Sequence, residues 1–235
     1  MDAVILAAGE GSRLDRDSGH LPKIFIELDG DPLYAYQLRE LDKYCDRILI
    51  MLGHGFEDDL SPRDSFKVPE SVNAEIEFRI LSEWANYENG YTAVKALEDI
   101  EDHVLLVCGD VFFKQSVVQA LISEFKDRCR REGKNVVGAI EGVQNEMTAV
   151  QTGPNGEVST YGAIEGHQEV GLFLLNKSNI NKAISILEEN MDYWFPIVFE
   201  KTSSNVVFVG EDERHEVNTK KHLVEIKQKF GISID

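Results

Sequence analysis

The sequence predicts an α/β domain built on a mostly parallel sheet, and three observations carry that expectation. Strand-like apolar runs alternate with amphipathic segments over the first two thirds of the chain, the pattern of successive βαβ units. The first run, Ala3 to Ala8, is apolar throughout, as a strand covered on both faces must be. It gives way at once to Gly9-Glu10-Gly11, so a buried strand feeds a glycine loop.

The remaining elements follow in order. Strands are expected at Arg47 to Leu52, Glu75 to Leu81, His103 to Cys108 and Asn135 to Ile140. Asp31-Pro32 supplies an N-cap and an N1 proline for a helix whose Tyr34, Leu38 and Leu41 share one face. A second helix starts near Asn89 and carries Tyr91, Val94, Ala96 and Leu97, and a third covers about Gln115 to Arg131. After Ile140 the pattern changes to short β-like pieces around an Asn155-Gly156 hairpin turn, which predicts a small β-arm inserted at about 141–168. A long strand at Glu169 to Leu175 comes next. Ser178 then caps a helix with Ile180, Ala183, Ile184 and Leu187 on one face. A strand at Asn205 to Val209, the segment HEVNT from His215 to Thr219 and a final helix close the chain. With no repeat, linker or low-complexity tract, residues 1–235 read as one domain.

Composition narrows the function. Hydrophobic residues make up 43% of the chain and charged ones 28%, which suits a globular fold and excludes a disordered class. No apolar run approaches the roughly 20 residues of a membrane span. Asp2 follows Met1 with no basic or apolar leader, so a cytoplasmic location is expected. Cys45, Cys108 and Cys129 are odd in number and far apart, which fits reduced thiols better than a disulfide frame or a zinc site. A net charge of -18 excludes a general nucleic-acid surface, because such binding depends on Lys and Arg neutralising phosphates. Any phosphate site must be a local island of cations.

The glycine loop is where those cations are found. Gly9-Glu10-Gly11-Ser12-Arg13-Leu14 lacks the Lys-Ser/Thr step of a P-loop, and Leu14 stands where a dinucleotide fingerprint needs its third glycine. Arg13 lies within the loop, and Lys23 follows Pro22 ten residues later. Two cations beside free backbone N–H groups can hold a triphosphate and stabilise charge developing on a transferred phosphorus. Each residue alone also fits a plain βα turn with solvated cations; their combination after the first strand points to phosphate.

The run LAAGEGSRL (Leu6 to Leu14), followed by Pro22-Lys23 and Pro32-Leu33, resembles the opening of the nucleotidyltransferases that join a nucleoside triphosphate to a sugar or alcohol phosphate with release of pyrophosphate. Cys108-Gly109-Asp110 and Glu216-Val217-Asn218-Thr219 extend the resemblance over nearly the whole length. It implies a Rossmann-like three-layer sandwich and a nucleotide site of Leu6, Ala7, Ala8, Gly9, Gly11, Ser12, Arg13 and Lys23, with Arg13 and Lys23 catalytic. It also implies magnesium held by Asp110 and Asn218. The second position is often Asp in the family; the N-acetylglucosamine-1-phosphate uridyltransferases resemble this chain in using Asn. Glu216, two residues earlier and on the same face of an extended segment, could supply the missing charge, or could be a solvated edge carboxylate.

The stretch SEWANYENGYT, Ser82 to Thr92, bears on specificity. Uridylyl and thymidylyl members typically place a base-reading Gln five residues before the glycine, where this chain has Ala85. The segment instead resembles the asparagine-rich stretch of phosphocholine and related cytidylyltransferases, which implies CTP. Trp84, Tyr87, Asn89, Tyr91 and Trp194 are the expected acceptor residues; the rings of Trp84, Tyr87 and Tyr91, with those of Tyr193, Trp194 and Phe195, could form a box for a quaternary ammonium at roughly 0.5 to 2 kcal/mol per ring, core packing being the alternative. Aminoethylphosphonate and inositol phosphate fit the same scaffold. The six histidines show no metal spacing and no Gly-x-Ser-x-Gly elbow occurs, so no covalent intermediate is expected. Two alternatives stay open: a sugar-1-phosphate nucleotidyltransferase using UTP, dTTP or GTP, and a non-catalytic nucleotide-binding regulator. A monomer and a homodimer are equally compatible with the chain.

Overall fold

A computed structural model describes residues 1–11, 22–56, 62–142, 149–163 and 165–232. The first half runs β1 (Asp2–Ala7), β2 (Glu27–Leu28), β3 (Asp31–Pro32), α1 (Leu33–Leu41), β4 (Arg47–Leu52), α2 (Pro62–Ser65), β5 (Glu75–Ile80), α3 (Asn89–Leu97), β6 (Val104–Cys108) and β7 (Val111–Phe113). The second half runs α4 (Gln115–Glu124), α5 (Arg130–Glu132), β8 (Asn135–Ile140), β9 (Ala149–Thr152), β10 (Val158–Ala163), β11 (His167–Leu175), α6 (Ile180–Glu188), α7 (Ile197–Lys201), β12 (Ser204–Phe208), β13 (Arg214–Glu216) and α8 (Lys220–Phe230).

Nine of the described strands form one sheet. Its parallel half is β6-β1-β4-β5, and β11 joins β6 antiparallel. β11 also carries β8, itself paired in parallel with β12, and the β9–β10 hairpin. The chain therefore forms a mixed α/β fold with a mostly parallel centre. The hairpin of the expected β-arm extends this sheet through His167 and Gln168, while residues 143–148 and 164 lie outside the described residues.

The sheet sits in the middle because its strands are apolar on both faces. Ala3, Ile5, Ile48, Ile50, Leu105 and Val107 point into one buried cluster, packed against α1 and α4. Val4, Leu49, Met51, Val104 and Leu106 point into a second, against α3, α6 and α7. Each Val, Leu or Ile so buried contributes roughly 1.5–3 kcal/mol relative to exposure. A third cluster of Ile26, Leu28, Leu33, Phe112, Val217 and Ile226 clamps the β2–β3 ribbon, β7 and α8 together.

Three local expectations change. Asp31 does not cap α1: it pairs with Leu28 in the β2–β3 ribbon and forms an ion pair with Arg39 at 2.7 Å, leaving Pro32 at the N-cap position. The cap ahead of α6 is Asn176, whose side chain accepts the Ser178 N–H at 3.1 Å and opens a 3-10 turn at Lys177–Asn179. The third helix is continuous but not uniform, because a π-helical turn at Phe125–Cys129 joins α4 to α5. Among the described residues, no helix is long and apolar enough to cross a membrane.

Candidate active site

In an open α/β sheet the crevice for ligands lies outside the carboxyl ends of the strands, where the strand order reverses. Here β4 and β6 flank β1 on opposite sides, so the switch point lies past Ala7 and Cys108. The two loops that leave it are tied together by the Gly109 N–H, which donates to the Leu6 carbonyl at 2.9 Å.

Lys23 is carried to this crevice by a 3-10 turn at Lys23–Phe25 that Pro22 opens. Its stem packs against Gly11, whose φ is +68°; a Cβ at position 11 would stand 2.5 Å from Lys23 Cγ. Only 9% exposed, the side chain ends between two groups from distant parts of the chain. The ammonium donates to Asn218 Oδ1 at 2.5 Å and to Asp110 Oδ2 at 3.3 Å. The antiparallel pairing of β7 with β13 explains how residues 110 and 218 meet, since Val111 lies opposite Glu216 and the Val217 N–H donates to the Asp110 carbonyl at 2.7 Å.

Asn218 has its orientation set by its neighbours. Its Nδ2 donates to Glu216 Oε2 at 2.6 Å, which turns Oδ1 toward Lys23. Glu216 Oε1 accepts from Arg214 Nη2 at 2.6 Å. Arg214, 2% exposed, also donates to the carbonyls of Val170 and Glu169 at 3.2 Å and so anchors the relay to β11. Both oxygens of Glu216 are thus engaged, and it braces Asn218. Asp110 and Asn218 both direct oxygen toward the position that the Lys23 ammonium occupies here; with Lys23 turned to phosphate, hard oxygen donors of this kind would suit magnesium, which takes one or two protein ligands and completes its shell with water and substrate phosphates. Among the described residues, no group of three His, Cys, Asp or Glu is arranged to hold a metal.

Two cavities adjoin this point and a third lies beside them. The first, of about 280 Å³, lies along Leu6, Ala7, Gly9, Gly11, Lys23 and Asp110. The second, of about 300 Å³, is lined by Trp194, Phe195, Tyr161 and the carboxylates of Glu88, Asp110, Glu169 and Glu216. The third, of about 230 Å³, lies between Ala8 and Gly9 on one side and Trp84, Ala85 and Tyr87 on the other. Asn89 borders all three. Its side-chain oxygen accepts the Phe195 N–H at 2.9 Å, and the Gly90 N–H donates to the Tyr193 carbonyl at 3.1 Å, so α3 holds the YWFP segment in place.

The expected aromatic box is therefore divided. Trp84 and Tyr87 face the glycine-loop side and Trp194, half exposed, faces the carboxylates. Tyr91 is buried in the core, stacks on Tyr87 with ring centroids 4.7 Å apart and donates its hydroxyl to Glu83. Ser12 and Arg13 lie outside the described residues.

Local electrostatics follow from burial. Burial pushes Glu169 up to about 7 against the pull of Arg214, and the nearby Glu216 and Asp110 push it further. Burial, with the same carboxylates, raises the Cys108 thiol well above its ordinary value, so it remains protonated and is no nucleophile. Sequence reasoning missed Glu169, Arg214 and Gln37. Gln37, buried on α1, donates from Nε2 to the carbonyls of Cys108 and Val111 at 3.1 and 2.8 Å and so fixes the turn that presents Asp110.

The chain belongs to the MobA-like NTP transferase domain family, whose model matches residues 3–169 and so includes the crevice at the end of β1 and Asp110. Among curated relatives it is 31% identical over 124 residues to the bifunctional protein GlmU of Methanococcus maripaludis strain C7, covering 53% of this chain and 28% of that protein. The chain thus spans little more than a quarter of that relative's length. Among solved structures it resembles the CTP:phosphocholine cytidylyltransferase LicC of Streptococcus pneumoniae, with a TM-score of 0.71 and 18% identity over 97% of this chain and 98% of that one. It also resembles a putative glucose-1-phosphate thymidylyltransferase of Bacillus anthracis, with a TM-score of 0.73 and 14% identity over 97% and 94%. At these identities the likeness concerns the fold, which a cytidylyl and a thymidylyl enzyme share.

Proposed function

We propose that this protein transfers CMP from CTP to a phosphate or phosphonate oxygen of a small alcohol phosphate or phosphonate, of the phosphocholine, aminoethylphosphonate or inositol phosphate type, with release of pyrophosphate. The observation that carries the reading is the convergence of Lys23, Asp110 and Asn218 between the first two cavities, with Gly11 packed against the Lys23 stem. The triphosphate lies along Gly9 and Gly11, with Lys23 on its negative oxygens, and Ser12 and Arg13 are assigned to the same phosphates from the sequence alone. The acceptor enters from the Trp194 cavity. There Asn89 and Trp194 orient it so that its oxygen meets the α-phosphorus in line with the departing pyrophosphate. Positioning and fixed charge are sufficient for such a displacement, and no protein nucleophile is required. Magnesium held by Asp110 and Asn218 would neutralise phosphate charge there, with Glu216 and Arg214 keeping the Asn218 oxygen aimed at it. Such an enzyme, drawing on CTP, fits a cytoplasmic setting.

The test is pyrophosphate release, with magnesium and with chelator, across CTP, UTP, dTTP, ATP and GTP against phosphocholine, aminoethylphosphonate, inositol phosphate and glucose 1-phosphate. The expected result is a metal-dependent signal confined to CTP with one alcohol phosphate or phosphonate, reduced at least about 100-fold in Lys23→Ala while the circular dichroism spectrum is unchanged. Turnover with glucose 1-phosphate and dTTP or UTP would overturn the specificity, and normal turnover in Lys23→Ala would overturn the mechanism.

A further inference from the structure

Resting on that reading, we infer that Trp84 is a base-binding residue: the nucleobase stacks on its indole, and recognition relies on that aromatic face where relatives with a glutamine use a side-chain amide. The indole is fixed in place by the absence of a side chain at Gly53. A Cβ there would come within 2.5 Å of Trp84 Cγ and 2.7 Å of the Ala8 carbonyl oxygen. His54 meets the indole edge-on with ring centroids 5.3 Å apart, and its N–H donates to the Ala8 carbonyl at 3.0 Å. Trp84 is thereby attached to the strand end that leads into the glycine loop.

Two features identify the occupant of this cavity. It adjoins the Lys23 cavity through Leu6, Gly9 and Asn89, so a nucleotide whose phosphates rest on Lys23 reaches it directly. The second cavity leads instead to Glu169 and Glu216, carboxylates that repel a triphosphate, while Glu88 borders both it and the Trp84 cavity. Tyr87, Glu88, Asn89 and Thr92 line the cavity beside the indole, while Ala85 brings no polar group; the Asn89 oxygen is occupied by the Phe195 N–H, and the Ala8 carbonyl already accepts from the His54 backbone N–H. Trp84 adds a ring, and every base has a face to place against it.

The chain contains two tryptophans, one at each cavity, which makes the test direct. In Trp194→Phe the remaining emission comes from Trp84, and in Trp84→Phe it comes from Trp194. Titration with CTP is expected to quench the first variant strongly and the second weakly. By calorimetry, Trp84→Ala should bind CTP roughly 10- to 100-fold more weakly, and Trp84→Phe should retain most of the affinity. With CTP saturating, the Michaelis constant for the acceptor should be unchanged in both. Unaltered CTP affinity in Trp84→Ala, or quenching confined to Trp194, overturns the inference. If the wild-type protein binds none of the five triphosphates, the nucleotidyltransferase reading fails and the inference fails with it. If it binds one of them and Trp84 stays silent, the inference alone fails.

Discussion

Replacing Glu169 with Gln should change how the stability of this protein depends on pH. The carboxyl titrates at about 7 in the fold against an ordinary 4.5, with burial as the main cause. For an acid with a raised folded value, the sign is set by which state holds more protons. Below pH 4.5 both states keep the proton and the site costs nothing by this route. Between 4.5 and 7 the folded state holds more protons, so stability falls as pH rises, and above 7 the full cost of an ionised buried group is present. The displacement corresponds to about 3 kcal/mol; the side chain is only partly shielded from solvent, so about 1 to 3 kcal/mol is expected. Gln keeps an oxygen for the Gly171 N–H, which Glu169 Oε2 accepts at 2.7 Å, and introduces no charge. Urea unfolding of both proteins at pH 5 and pH 8, with chelator present, reads the effect. Relative to wild type, the Gln variant should gain about 1 to 3 kcal/mol on going from pH 5 to pH 8. A difference that is the same at both values, within a few tenths of a kcal/mol, would refute the assignment.

Two further outcomes follow from packing and charge. Gly53→Ala must displace either Trp84 or the Ala8 carbonyl, so a loss of about 1 to 3 kcal/mol is expected in urea unfolding, together with a shift in tryptophan emission. Arg214→Leu leaves Glu216 without its buried cationic partner and should cost about 3 kcal/mol or more by the same assay, with Glu216→Gln in addition recovering part of the loss.

The legible and illegible parts of this molecule differ in how local their causes are. The order of strands and helices could be read because β1, β4 and β6 are apolar on both faces, a property each run of residues shows by itself. Lys23, Asp110 and Asn218 could be named because family-like motifs surround each of them, although nothing local states that they touch. Arg214, Glu169 and Gln37 escaped notice because the contacts that bring them to the site, from Arg214 to the carbonyls of Val170 and Glu169 and from Gln37 to those of Cys108 and Val111, span 44 or more positions, and a buried Arg, Glu or Gln carries no periodic signature. The aromatic box shows the converse error: Trp84 and Trp194 were grouped by type, while the fold sets them on either side of Asn89. The caps failed for a simpler reason. Asp31 and Ser178 have the right chemistry, but a ribbon and a 3-10 turn claim the positions beside them.

The contact between Lys23 and Asn218 bridges 195 positions of chain, and this has a consequence for how the protein comes into being. A ribosome that has delivered β1, the glycine loop and even β6 has delivered an incomplete cleft, because β13 must still emerge before the relay behind Asn218 can form. Loops of such length close late and slowly compared with neighbouring strand pairs. During synthesis the sheet can thus consolidate well ahead of its chemistry. On the proposed reading, a nascent chain would gain its triphosphate chemistry only after β13 and Asn218 have been added.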